Sequence, residues 1–245
     1  MTPTPEPPPL EVFMLGLVEF EDAQRLQRRL VYDLGEREGA ALVLCEHPPT
    51  ISVGRSGSRI HIVPDDEKLR SLGVRMHWVN RGGGCVLHLP GQLSAYVTVS
   101  LERVGLDLGG YLRRLLEAVA GVLAEFDLTG TTRPELPGVF LERERVATIG
   151  VAVTRGIAYH GLTLNVGPFL EPFEMLLKEP GFDGLPLRQT SMEARRQRIV
   201  PMPKVREALI RRLEGVFGLE RHHVFTQHPL IRRKVIAHAY APSPG

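Results

Sequence analysis

The sequence is poor in cysteine, in tryptophan and in long apolar runs, and these shortages exclude several classes of protein. Two cysteines, Cys45 and Cys85, occur in 245 residues. A disulfide scaffold and a multi-cysteine zinc site both need more. No apolar stretch approaches the roughly 18–20 residues that cross a bilayer. The N-terminus has neither the charged leader nor the apolar segment of a secretory signal. A cytoplasmic protein with reduced thiols, away from the membrane, is the expectation. Of the nucleotide motifs, neither the GxGxxG spacing of a dinucleotide site nor the lysine of a phosphate-binding loop is present in the glycine-rich stretches. The four C-terminal histidines, His222, His223, His228 and His238, have no metal-site spacing, so no metal and no cofactor is expected.

What is present is ordinary globular material: 43% hydrophobic and 24% charged residues. A chain this long buries about 70–75% of its unfolded surface and needs no staples. The net charge of +2 hides an asymmetry. Eleven Lys/Arg face four Glu between Ser191 and Tyr240, an excess of seven, so the rest carries a net −5. A basic end of this kind either docks an acidic partner or is a solvated helix face. No aromatic platform interleaves these charges, so nucleic acid is not the expected partner.

Residues 1–9 contain five prolines and read as a disordered tail. A body over 10–220 and a basic extension over 221–245 follow. Hydrophobic periodicity predicts strands over 10–17, 40–45, 74–79, 93–101, 139–141, 145–153 and 157–166. In the 93–101 strand, Leu93, Ala95, Val97, Val99 and Leu101 face a core while Ser94, Tyr96, Thr98 and Ser100 face solvent. Helices are predicted over 21–37, over 65–72 capped by Asp65 or Asp66, over 108–126 capped by Asp107, and over 204–217 closed by Gly218. Trp78 reads as core. Strands in runs with few helices make an α+β protein.

The segment most able to carry chemistry is Arg81-Gly82-Gly83-Gly84-Cys85-Val86-Leu87-His88-Leu89-Pro90-Gly91-Gln92. Glycines let a ligand approach backbone N–H groups closely, and Arg81 can hold a carboxylate or carbonyl oxygen. The same residues also suit a tight turn with Arg81 in a structural ion pair, and composition does not decide between the two.

This segment resembles the RGGxxxxHxPGQ pattern of the lipoyl(octanoyl) transferases, relatives of the biotin and lipoate protein ligases. Further segments agree in order: Glu46-His47-Pro48-Pro49 with Gly54-Arg55, Pro137-Gly138-Val139-Phe140, Val146-Ala147-Thr148-Ile149-Gly150-Val151, His160-Gly161-Leu162-Thr163-Leu164-Asn165-Val166, and Thr190-Ser191-Met192. The resemblance covers residues 40–192. It implies an α+β domain with a mixed β-sheet flanked by helices, the fold of the biotin/lipoate protein ligase catalytic domain (class II synthetase-like). It implies transfer of an octanoyl or lipoyl group from acyl carrier protein to a lysine of a lipoyl domain, in a 2-oxoacid dehydrogenase subunit or the glycine cleavage H protein. Arg81, Gly82, Gly83, Gly84, Val86, Leu87, His88, Thr148, Ile149, Gly150, Gly161 and Leu162 would bind substrate.

The resemblance also implies a nucleophilic cysteine in a Pro-Cys-Gly turn and a lysine opening the strand that ends in Ile-Gly-Val. Here the turn reads Glu179-Pro180-Gly181-Phe182 and the strand opens with Arg145. Arginine stays protonated at any working pH, so Arg145 can steady an oxyanion or hold a carboxylate but is no base. Three readings follow. Acyl transfer persists by another route, with Cys85 as a relocated nucleophile assisted by His88 or His160, or by direct aminolysis with His160 as base; Cys85 equally suits an inert core position. Alternatively the chain binds an acyl ligand or lipoyl domain without turnover. The third reading is an ATP-dependent ligase. For Glu46 and His47 a structural role and substrate contact are equally open, and Lys178 reads as a surface lysine.

Overall fold

A computed structural model describes residues 9–36, 39–181, 185–219 and 221–231. Most of the proline-rich tail, Phe182 and the end of the basic extension, with His238, lie outside the described residues.

The main sheet has eight strands in two runs. β1 (Leu10–Leu17) lies parallel to β2 (Ala40–Glu46). From β2 the sheet runs antiparallel through β6 (Gln92–Ser100), β10 (Ile157–Asn165), β9 (Glu144–Thr154), β8 (Leu136–Leu141) and β7 (Thr131–Arg133). The edge beyond β1 is β11 (His222–Phe225), again parallel. The segment read as an extension therefore begins with a strand of the sheet, its Phe225 ring stacked on Phe13 at 5.2 Å. A second sheet of three short strands packs beside the first: β3 (Thr50–Val53) between β4 (Arg75–Trp78) and β5 (Cys85–His88).

Helices cover both faces of the main sheet. On one face α3 (Leu108–Glu125) packs with α6 (Met202–Phe217) over Leu93, Ala95, Val97 and Val99 of β6. Asp107 caps α3 as expected, accepting from Gly110 N–H at 2.6 Å. On the other face α1 (Phe20–Glu36) buries Leu26, Leu30 and Leu34 against β1, β2 and Tyr96. This second cover corrects the reading of β6 as half-solvated. Ser94, Tyr96 and Thr98 are buried too, because α1 takes the place given to water. Trp78 is corrected in the opposite sense: it lies on an edge strand and is 62% exposed.

The shorter helices are α2 (Asp66–Ser71), α4 (Glu171–Leu176) and α5 (Met192–Arg196). Asp65 caps α2 and Ser191 caps α5 through their side chains. No helix among the described residues is long and apolar enough to cross a membrane.

Candidate functional site

Where the small sheet leans on the main one, the sequence segments singled out above meet. Backbone bonds dock the glycine run: Gly82 N–H donates to Val151 O at 2.8 Å, and the carbonyls of Arg81, Gly83 and Gly84 accept from Arg55, Ser56 and Gly54. A Cβ on Gly150 would sit 2.7 Å from Gly82 O, so the close crossing of these two segments requires glycine. A buried relay ties the rest together. Gln92 Nε2 donates to Leu87 O and to Asn165 Oδ1, and Asn165 Nδ2 donates to Thr190 O.

Between the sheets lies a cavity of about 20 Å³, room for one or two waters. Its walls include Ser52, Arg81, Val86, His88, Thr148, Gly150, His160, Gly161 and Leu162. Strand alternation explains which expected residues reach it. On β5, Val86 and His88 face the cavity, whereas Cys85 and Leu87 face the core of the small sheet. Leu87 is thus corrected from a ligand contact to a core residue. Ile149 is corrected likewise, since it packs under α3 and α6. Cys85 points its Sγ toward Ser58 O at 3.6 Å, and burial, with Glu179 nearby, pushes its thiol up. This is the inert core position.

Arg81 makes no ion pair among the described residues. Its guanidinium donates to Ser52 O and Ser52 Oγ, both at 2.8 Å, and to Gly82 O at 2.9 Å. Burial lowers it to about 10, which leaves it a cation at neutral pH. Because Ser52 Oγ accepts from Arg81, its own proton goes to His88 Nε2, 2.8 Å away. Burial holds His88 well below the usual histidine range, so the ring is neutral and its one proton is on Nδ1. That atom is buried, with no partner among the described residues.

His160 stands where the β6–β10 ladder is interrupted, between Ala158 and Gly161. Its backbone is left-handed, with φ at 62°. Gln27 reaches over from α1 and accepts its N–H at 3.1 Å, the bond that β6 does not make. Burial lowers the His160 ring to about 3, with Arg81 adding repulsion. A ring that weakly basic is a poor base at neutral pH.

Arg145 is reached by a bulge. The β8–β9 register slips between Val139 and Phe140, leaving Val146 unpaired. The slip moves Arg145 off the face of Ala147 and Ile149 and onto that of Thr148. Gly138 pairs with Thr148, and a Cβ there would stand 3.2 Å from Arg145 Cδ. Arg145 Nη2 meets Glu179 Oε2 at 2.7 Å, and both residues are buried.

Four cavity-lining residues were not singled out for the site: Phe20 and Ser52 have no motif, Thr163 was quoted only within a motif, and Tyr96 was assigned to solvent. Glu179, beside the glycine run, was named only as part of an altered turn. Tyr96 Oη bonds His47 Nε2 at 2.7 Å, and His47 Nδ1 donates to Val18 O at 2.8 Å. His47 is therefore a buried brace, and burial lowers it to about 4. Glu46 is structural too, accepting from Gly91 N–H and from Arg206.

Comparison with known proteins gives the family. Residues 19–214 match the family described as the lipoyl protein ligase A/B catalytic domain. The octanoyltransferase of Roseiflexus sp. strain RS-1 is 38% identical over 221 residues, which are 89% of this chain and 91% of that protein. The octanoyltransferase of Chloroflexus aggregans is 36% identical over 215 residues, 86% of this chain and 96% of that one. A solved lipoate-protein ligase A bound with ATP superposes with a TM-score of 0.72 at 18% identity over 90% of each chain, a likeness of fold. The chain belongs to the lipoyl protein ligase A/B catalytic-domain family.

Proposed function

We propose that this chain is an octanoyltransferase of protein lipoylation. It moves an octanoyl group from the thioester of acyl carrier protein to the lysine amine of a lipoyl domain, carried by a 2-oxoacid dehydrogenase subunit or by the glycine cleavage H protein. The observation that carries this reading is the match, over nearly the whole chain, to proteins named octanoyltransferase, whose motif residues here converge on one cavity.

The residues divide the work as follows. His88 lines the cavity and its buried Nδ1–H has no partner among the described residues; in this reading it is the donor that bonds the acyl carbonyl. Ser52 and Arg81 fix that tautomer from behind. Gly161 and Leu162 give the acyl chain an apolar wall.

The test is an incubation of purified protein with octanoyl-acyl carrier protein and an apo lipoyl domain, followed by intact masses. An octanoyl adduct on the lipoyl domain is expected. A lipoyl domain of unchanged mass, with octanoate still bound by the protein, would make this a recognition protein instead.

A further inference from the structure

We propose that Glu179 is the base of this transfer: its carboxylate takes the proton that the acceptor lysine nitrogen sheds on attacking the thioester, and returns it to the leaving thiolate. The inference rests on the transferase reading above and adds a catalytic residue to it.

The two places where the sequence departs from the pattern that the transferase resemblance implies are partners in space. Arg145 is the second residue of β9 and Glu179 stands in the altered turn, 34 residues apart, yet they share a buried ion pair at 2.7 Å. The bulge in β9 brings Arg145 to the face of Thr148, a cavity wall. The loop carrying Glu179 is clamped to the same strand end. Arg145 N–H donates to Arg188 O, Thr190 N–H donates to Arg145 O, and Leu187 N–H donates to Glu179 O. A buried carboxylate held this firmly is positioned, not trailing.

Only one of its oxygens is taken. Oε2 receives Arg145, while Oε1 has no hydrogen-bond donor among the described residues and lies against Gly84, where a Cβ would collide with it. The free oxygen therefore abuts the glycine run that follows Arg81, itself a cavity wall. The other candidates are worse placed for proton transfer. Arg81 is a cation bonded to Ser52 and Gly82, Cys85 is packed in the core of the small sheet, and the His160 ring is held by burial at about 3.

The step balances without a further reactant. The neutral lysine amine attacks the thioester carbon, and the C–N bond forms. The nitrogen becomes cationic and passes a proton to Glu179 Oε1. The C–S bond breaks, and the departing thiolate takes that proton back. The products are an amide and a thiol, with no acyl-enzyme. Arg145 acts as a positioning residue, protonated throughout.

Glu179→Gln tests this, since the amide oxygen can still accept from Arg145. With wild-type protein active on a lipoyl domain, the variant should lose at least about 100-fold in kcat. Formation of octanoyl hydroxamate from hydroxylamine should survive, because its nitrogen, once cationic, is far more acidic than that of a lysine adduct and sheds its proton to water unaided. Equal loss with both acceptors, or no loss with lysine, would overturn the role of Glu179 while leaving the transferase reading intact. An octanoyl adduct on the wild-type protein in the absence of acceptor would overturn direct transfer. Wild-type protein inactive with every acceptor would overturn both. Should Glu179→Gln not fold because Arg145 is left unpaired, the double variant Arg145→Met/Glu179→Gln removes both charges and should show the same split between acceptors.

Discussion

At the scale of single residues, Gly84 leaves no room for the smallest side chain, because Glu179 Oε1 occupies that space. Gly84→Ala should therefore push the carboxylate off Arg145. A misplacement of this size costs on the order of 100-fold in rate, so octanoyl transfer should fall by that factor while the circular dichroism spectrum stays native. Unchanged transfer would show that the carboxylate position does not matter. The histidines make a second prediction. Burial puts His47 at about 4 and His160 at about 3, against an ordinary 6.5. Below pH 6.5 the unfolded chain binds protons that the folded one refuses. Stability is then complete above that pH and falls as pH drops toward each folded value, by about 1.4 kcal/mol per pH unit for each ring. Urea midpoints at pH 7 and pH 5 should differ in that sense; equal midpoints would contradict the burial of neutral rings. Much at this scale was legible in the sequence. Arg81, His88, Thr148, Gly150, His160, Gly161 and Leu162 do meet. Leu87 and Ile149 did not separate from them, because a motif names neighbours in the chain whereas a strand sends alternate neighbours to opposite faces.

At the scale of elements, the long helices and strands could be read because their apolar spacing is regular. The strand 10–17 and the Asp107 cap were expected and are present. Asp107→Ala removes a bond to Gly110 N–H and should cost about 1 kcal/mol of stability. A denaturation midpoint measures it, and no shift would mean that the cap is idle. The short strands had no such signal. Four residues, Thr50–Val53, lie between proline and glycine, too few to show a period. The bulge at Val146 was also hidden, since one unpaired residue leaves the composition of a strand unchanged. Yet that bulge decides which way Arg145 points, and with it which carboxylate Arg145 can hold.

At the scale of the whole molecule, the charge excess near the C-terminus reads differently once folded. Arg195 pairs with Glu142 and Glu144, Arg196 and Arg198 with Asp127, Arg206 with Glu46, and Arg211 and Arg212 with Glu125. The acidic remainder of the chain supplies the partners, so much of the apparent basic surface serves to hold α5 and α6 on the domain. The sign of the excess was legible in the sequence but its partners were not, because these pairs join residues 51 to 160 positions apart.

The account as a whole stands on thioester chemistry. It is tested most directly by offering the protein two donors with one apo lipoyl domain: octanoyl-acyl carrier protein without nucleotide, and free octanoate with ATP. The account predicts an octanoylated lipoyl domain from the thioester alone, with octanoate and ATP giving none. Product from octanoate and ATP alone would contradict it and make the chain a ligase.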